Sequence, residues 1–431
     1  MGTEGRRAVS GAQLFAFVFS IAGSGPSGTE GVLSCGLAAG LGALTVFTGV
    51  WGATLARASV EFTARNPDEN GGLALWCARA GYRRLAVNVC AWEFAGLVSV
   101  AAVVSESSVT YISSVASGAG NRLAVGAAVV AASLVVNVVS ARFTASLCAV
   151  LTAVCAVVFV GMACTCAARA DWSRAAPSLP PSPPWRSLVN ALIFSGAGVD
   201  AAASIVASVR DPAYVVPRVM LAVGVSLAAN AAFLALVFLG TDGPTSQWVP
   251  GFFSQAALRA AGPVAQRVVV AALVLSNWQT FVASMSQAAH TAAAMAAAGL
   301  LPRQLAATGD RGAPVAATAL AAFCAFAFLF MPFGTNLGVQ SIMYASCSGV
   351  LALAAVDLQP PFAYLPTSRP ARAALMLPAL LAAAAAMAAQ GTVVLAGVGG
   401  SMVAAAALCA AFPPAIQQDA NKPKEQQHVR L

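Results

Sequence analysis

The sequence predicts an all-α integral membrane protein with about 12 transmembrane helices, and three observations support that fold class. Of the 431 residues, 59% are apolar and only 9% are charged, whereas roughly a quarter of the residues in soluble domains are charged. The apolar residues form repeated blocks of about 20, which is the length needed to cross roughly 30 Å of hydrocarbon. The basic residues stand singly between these blocks, which is typical of loops between membrane spans and not of a nucleic-acid interface.

The apolar blocks give twelve spans in chain order. They lie near residues 12–37, 40–64, 84–112, 121–140, 143–168, 186–209, 215–240, 263–298, 314–332, 337–357, 373–390 and 393–412. A Pro/Ser-rich stretch at 177–184 predicts an extended connector, residues 255–261 a short surface helix, and residues 417–431 a polar tail. The predicted organisation is a short N-terminus (1–11), a first half (12–168), a connector (169–185), a second half (186–357), two further spans (358–412) and the tail (413–431).

Charge bias orients these spans. With the N-terminus on the cytoplasmic side, 17 of the 23 basic residues fall on that side and six on the other. Because cytoplasmic loops retain Lys and Arg, we expect both termini to be cytoplasmic.

Two spans are interrupted by glycine at matching places. The pattern Phe-Ser-x-Ala-Gly occurs at residues 19–23 of the first span and again at residues 194–198 of the sixth. Unwound backbone is tolerated in a membrane where it faces a cavity or ligand, and paired broken helices are typical of a midplane substrate site in transporters. Close helix packing through small residues is the alternative interpretation.

Three of the acids inside predicted spans qualify as functional candidates: Glu30, Glu93 and Asp200. A charge at midplane costs on the order of 3 kcal/mol or more and normally faces a cavity, so each is a candidate for solute contact or proton coupling. Other roles are open: an interfacial acid for Glu30, an acceptor for backbone amides for Asp200, and a partner for another helix for Glu93. His290 in the eighth span is either a proton carrier or a hydrogen-bonding link between helices.

Several motifs, taken in order, resemble the amino acid/polyamine/organocation permeases, and most of all the polyamine:proton symporters. Residues 25–30 are similar to that family's Gly-Pro-x-Gly-x-Glu signature, and residues 66–72 to its Pro-Glu-Asn-Gly-Gly loop. Asp200 with residues 209–218 resembles the end of its sixth helix. Residues 276–286, 299–302 and 312–314 resemble its eighth helix and the following loop. The resemblance covers roughly residues 12–360.

This resemblance implies a LeuT-like fold, with two inverted five-helix repeats plus two helices, alternating access and coupling to protons. It places the substrate site on the two broken helices, to which we add Trp92 beside Glu93. The candidate substrate-binding residues are Gly23, Ser24, Gly25, Gly28, Glu30, Trp92, Phe194, Ser195, Gly196, Gly198 and Asp200.

The chain departs from the polyamine symporters at three positions. Glutamates in their sixth, eighth and tenth spans correspond here to Ser208, Ser284 and Gln340. Some proton-coupled relatives also carry a lysine in the fifth helix, where this chain has none, its two lysines being Lys422 and Lys424. The substrate is therefore a polyamine or an amino acid, and sodium is an alternative to the proton as coupling ion.

We expect a secondary active transporter of a small cationic or zwitterionic solute, needing no cofactor and residing in the plasma membrane by analogy with the family. A membrane receptor or partner-binding protein built on a permease scaffold is the alternative. The sequence carries no Walker loop, HExxH, GxSxG or nucleotide fingerprint, which argues against an ATP-driven pump and a membrane hydrolase.

Overall fold

The computed structural model describes residues 8–22, 30–79, 81–116, 120–175, 185–241, 247–248, 251–309, 311–358 and 362–388. Its α-helices in chain order are α1 (Gly11–Ala22), α2 (Leu37–Val46), α3 (Ala53–Arg65), α4 (Gly72–Arg79), α5 (Arg83–Ser113), α6 (Arg122–Asn137), α7 (Ala141–Ala167), α8 (Trp185–Gly196), α9 (Pro212–Leu239), α10 (Phe252–Ala297), α11 (Val315–Phe328), α12 (Phe333–Asp357) and α13 (Arg369–Ala388). A π-helical stretch, Phe47–Gly52, joins α2 to α3.

The helix lengths confirm the membrane fold class. Among the described residues, six segments are long and apolar enough to cross a bilayer: Leu37–Arg65, Leu85–Ser113, Ala141–Ala167, Pro212–Leu239, Phe252–Ala297 and Phe333–Asp357. Helices α1, α6 and α11 are shorter and also apolar. The predicted connector at 177–184, the span at 393–412 and the tail at 417–431 lie outside the described residues.

Helix α10 combines the predicted surface helix and the eighth span. Its backbone leaves helical geometry at Gly262, where φ is 83° and ψ is −176°, immediately before Pro263. Proline cannot donate to the preceding turn, and glycine adopts the positive φ without strain, so this pair bends the chain from the surface into the membrane.

Helices α5 and α10 form the centre of the bundle. They pack against each other, and α5 also contacts α4, α6, α11 and α12. Helix α1 packs against α7, α9 and α10. Gln279 of α10 links α1 and α7. Its Nε2 donates to Ser20 Oγ of α1 at 2.5 Å and to Thr152 Oγ1 of α7 at 2.6 Å.

The sixth predicted span is broken, as its glycines indicated. Helix α8 ends at Gly196, and the chain continues through 3₁₀ turns at Ala201–Ser204 and Val206–Ser208. Gly198 has φ of +89°, and a Cβ there would lie 2.2 Å from Cγ2 of Ile21 in α1. Only glycine satisfies both the backbone angle and this close approach.

Hydrogen bonds close the helix bundle at the end where α1 begins. The segment before α1 pairs with the end of the 3₁₀ region, since Val9 N donates to Ser208 O at 2.9 Å and Arg210 N to Val9 O at 3.0 Å. The loop before α4 seals the same region, because Asn70 Oδ1 accepts from Ala207 N at 2.8 Å.

Candidate functional site

Asp200 lies at the centre of the bundle, immediately after the break in α8. Its side chain is 1% exposed. One carboxylate oxygen accepts from the Tyr344 hydroxyl of α12 at 2.7 Å, and the other accepts from Gln287 Nε2 of α10 at 2.9 Å. The Tyr344 hydroxyl oxygen also accepts from the backbone N–H of Gly198 at 2.8 Å. The unwound segment and two neighbouring helices are therefore held together by this one carboxylate.

Glu93 of α5 is the second acid of the same cluster. It is 3% exposed, and its Oε1 accepts from the same Gln287 Nε2 at 2.9 Å and from Thr291 Oγ1 at 3.4 Å. One amide nitrogen thus lies between two carboxylates. Oε2 of Glu93 makes no hydrogen bond of ordinary geometry to any described residue, so this oxygen can accept from another donor.

A small cavity of about 20 Å³ lies against Glu93 and against Tyr344, the partner of Asp200, and has roughly room for one water. Its lining includes Trp92, Glu93, Phe194, Gly198, Ser284, Gln340 and Tyr344. Within the part of the chain that the structure describes, the indole Nε1 of Trp92 and Oε1 of Gln340 are buried without a hydrogen-bond partner. Since unpaired buried polar atoms are costly, a polar solute that entered this cavity would find ready donors and acceptors.

A larger cavity of about 560 Å³ lies on the far side of Phe194 from the closed end, and we call it the vestibule. Phe194 and Thr280 line both cavities. The vestibule is otherwise lined by Gly31, Val103, Val104, Ser107, Arg186, Ser187, Asn190, Ala191, Asn277, Pro332, Phe333, Gly334, Thr335 and Leu337. The buried phenyl ring of Phe194 therefore separates an accessible chamber from the acid pair.

The other predicted residues of α8 form the wall behind the cavity. Ser195 Oγ donates to Ala191 O of its own helix at 2.6 Å. A Cβ at Gly196 would lie 2.5 Å from the Trp51 ring, and Trp51 in turn meets Tyr344 edge to face at 5.8 Å between ring centroids. Aromatic packing thus fixes the tyrosine that holds Asp200.

Glu30 lies apart from the acid pair. It is fully buried, and its two oxygens accept from the backbone N–H groups of Gly251 and Phe253, each at 2.7 Å. These amides begin α10, so Glu30 occupies the position of an N-terminal cap. Gly23, Ser24, Gly25 and Gly28 lie outside the described residues.

Two residues of the cluster, Gln287 and Tyr344, were not among the sequence-based candidates. A signal for Gln287 exists in the sequence, because Thr280, Ser284, Gln287 and Thr291 recur at intervals of four, three and four along an apolar helix. That spacing places polar groups on one helix face. Tyr344 carries no comparable signal.

Two other buried ionisable groups, His290 and Glu61, have partners away from the acid pair. His290 Nδ1 lies 2.9 Å from Ser286 O of the same helix, a contact within α10 and not the link between helices considered above. Glu61 accepts from the amides of Ala363 and Tyr364 at 3.0 and 2.6 Å and from Arg65 Nε at 3.0 Å.

The comparisons with known proteins give the family and the fold of the chain. The family described as amino acid permease matches residues 9–415. The polyamine transporter PUT1 of Oryza sativa subsp. japonica is 26% identical over 170 residues, which cover 39% of this chain and 31% of PUT1. The alignment therefore spans about a third of that relative.

A solved structure, that of MhsT in complex with L-phenylalanine, matches with a TM-score of 0.55 and 13% identity, over 88% of this chain and 97% of that one. At this identity the match establishes the fold, which is the LeuT-like arrangement of helices that the motifs implied.

Proposed function

The chain belongs to the amino acid permease family, and we propose that it is a secondary active transporter that imports an amino acid or a polyamine together with a proton. The observation that carries this proposal is the pair of buried carboxylates, Glu93 and Asp200, joined by Gln287 beside the broken helix. Buried acids in a membrane are costly, so their placement next to a cavity supports a role in binding.

Two chemical tasks suit the acid pair. A solute's ammonium group would meet two carboxylates, and one of them, Glu93, also lines the small cavity. A proton bound to either acid would relieve the repulsion between them. The ammonium and the proton would then compete for, or share, the same pair, which links solute binding to protonation.

The contrast between the two ends supports alternating access. The backbone contacts of Val9 and Asn70 close one end, whereas the vestibule opens toward the other as far as Phe194. Import would require Phe194 to swing aside, the acid pair to receive the solute, and the contacts at the closed end to separate. We place the closed end at the cytoplasm and the protein in the plasma membrane.

The candidate residues divide into two groups under this proposal. Trp92, Glu93, Phe194, Gly198 and Asp200 contact the central cavity or the cluster beside it. Glu30 has both oxygens bound to backbone amides, which supports a structural role over solute contact or proton transfer. The glycines of the first break complete the proposed site by analogy with the family.

The test is uptake into proteoliposomes that contain the full chain. Labelled putrescine, spermidine and the neutral L-amino acids are supplied with an imposed proton gradient, with a sodium gradient, and with neither. We expect uptake of one solute class that an inward proton gradient stimulates. Stimulation by a sodium gradient alone would mean that sodium, and not the proton, is the coupling ion. Saturable binding of these solutes without flux would favour a receptor.

A further inference from the structure

A long groove lies on the outside of the bundle, and we call it the lateral groove. One wall is α9, and the other is the segment that runs from α2 through the π-helical stretch into α3. Its volume is about 810 Å³, and pockets that hold organic ligands measure about 300–1,000 Å³. Leu221 and Val225 on its α9 wall are exposed, so in a membrane the groove opens sideways into the lipid.

The lateral groove is long enough for a whole lipid chain. Arg57 at one end lies 16 residues beyond Leu41 at the other, or about 24 Å along the helix. The hydrocarbon of one leaflet is about 15 Å deep, which is half of a core about 30 Å thick. A Cβ built at Gly49 or Gly52 in this wall would have no described atom within 4 Å. The groove therefore leaves room for an acyl chain without displacement of the protein.

Arg57 brings a positive charge to one end of the lateral groove. It is exposed, and none of the other described residues that line the groove is charged. Arg57 makes no ion pair with a described residue. Glu61, one turn further along α3, already accepts from the amides of Ala363 and Tyr364 and from Arg65 Nε. An anion from outside the protein can therefore pair with the Arg57 guanidinium.

Tyr364 supplies a second donor at the same end. It lines the lateral groove, and its backbone N–H donates to Glu61 Oε2 at 2.6 Å, which holds Tyr364 beside α3 one turn beyond Arg57. A guanidinium and a phenol both donate to phosphate oxygens. This end of the groove therefore matches a phospholipid headgroup, and its apolar remainder matches the acyl chain.

The depth of Arg57 in the membrane fits the same ligand. Arg57 stands eight residues before the end of α3 at Arg65, or about 12 Å. The segment Leu37–Arg65 has 29 residues, whereas about 20 cross the hydrocarbon. Arg57 therefore lies close to the interface, where arginine side chains reach phosphate groups. This is the closed end of the bundle, which we place at the cytoplasm, and the cytoplasmic leaflet carries anionic lipids.

We propose that the lateral groove binds one anionic phospholipid, with its phosphate at Arg57 and Tyr364 and an acyl chain along α9. The lateral groove shares no lining residue with the vestibule or the central cavity, so the lipid site does not depend on which solute is carried. It does reach the broken segment, because Val199, between Gly198 and Asp200, lines it. The bound chain packs against the unwound backbone from the membrane side.

The experiment measures lipid binding to the full chain in detergent by native mass spectrometry. The probes are dioleoylphosphatidylserine and dioleoylphosphatidylcholine, which have the same chains and differ in net charge. We expect one phosphatidylserine to bind more tightly than phosphatidylcholine, and glycerophosphoserine, the same headgroup without chains, not to compete. Equal affinity for the two lipids would overturn the proposal, and displacement of the lipid by glycerophosphoserine would reduce the groove to a phosphate site.

Two pairs of variants test the two ends of the lipid separately. Arg57→Gln lowers the affinity for phosphatidylserine about fivefold, the contribution of one arginine at an anionic surface, and leaves phosphatidylcholine unchanged. Arg57→Lys keeps the charge and most of the preference. The control is Arg142→Gln, an exposed arginine outside the groove lining at the same end, because Gln13 near the start of α1 donates to Ser146 near the start of α7.

The second pair tests the chain. Ala228→Leu fills the lateral groove from α9 and weakens both lipids, whereas Ala222→Leu, at an exposed alanine of the same helix outside the lining, weakens neither. The thermal midpoint of each variant without added lipid checks that it is folded. Equal losses in Arg57→Gln and Arg142→Gln, or unchanged lipid binding in Ala228→Leu, would refute the site.

Discussion

Replacing Asp200 with asparagine removes the negative charge of this buried side chain and keeps its shape. Asparagine keeps the volume of the side chain but offers one acceptor oxygen where aspartate offers two. It can therefore accept from Tyr344 or from Gln287, which now stand at 2.7 and 2.9 Å, but not from both. The other partner would face an amide NH₂ group.

The size of the effect follows from these two bonds. A hydrogen bond to a charged acceptor contributes about 2 kcal/mol and a neutral one about 1 kcal/mol. Losing one bond and neutralising the other costs about 3 kcal/mol, which corresponds to a factor of about 100. We take this as the upper limit for the loss of uptake efficiency, Vmax/KM, in Asp200→Asn.

The assay measures the pH dependence of uptake together with solute exchange in the absence of a gradient. We expect Asp200→Asn to lose stimulation by an inward proton gradient while retaining slow exchange. Asp171→Asn is the control, because Asp171 is exposed and its carboxylate accepts hydrogen bonds from the neighbouring Ser173. If a proton gradient stimulates uptake by Asp200→Asn as much as uptake by the parent chain, Asp200 has no part in proton coupling. The same test on Glu93→Gln would then examine the second acid.

Three further predictions concern the frame of the site. Glu30→Gln lowers the stability of the protein by about 2 kcal/mol, seen as a lower thermal midpoint, while KM stays constant; a large change in KM with unchanged stability would contradict its structural role. Gly196→Ala places a methyl group against the Trp51 ring, so we expect reduced uptake. Gly224→Ala is the control, because a Cβ built there has no described atom within 4 Å, and we expect its uptake to be unchanged. Equal uptake by both variants would refute this packing argument. Gln279→Leu loosens the junction of three helices and increases proteolysis of the purified protein, which a protease time course measures against the parent chain.

The sequence predicted those parts of the fold and site that depend on local pattern. Apolar block length predicted the helical membrane fold class, and the glycines around Asp200 indicated the break after α8, because unwinding is a property of a short stretch of backbone. The bend at Gly262 and Pro263 was not among these predictions, although both residue types stand at the boundary between the predicted surface helix and the eighth span. Each of these features is encoded within a few residues.

The contacts of the acids could not be predicted in the same way. Asp200 meets Gln287 and Tyr344 across 87 and 144 residues of chain, and only the folded bundle brings them together. Glu30 illustrates the same limit, because the amides it caps lie more than 200 residues away. The sequence shows that an acid lies in a span, but where its carboxylate points depends on tertiary packing.

Helices α6 and α11 have a consequence for the surrounding bilayer. They pack against each other, and with 16 and 14 residues they are about 24 and 21 Å long, shorter than hydrocarbon about 30 Å thick. Side chains such as Val135 and Phe323, 66% and 74% exposed, face outward along this pair. The bilayer beside this helix pair must become thinner, because otherwise the acyl chains would meet the polar ends of the helices. We therefore expect this flank to gather short-chain lipids, and uptake to depend on the acyl length of the membrane used for reconstitution.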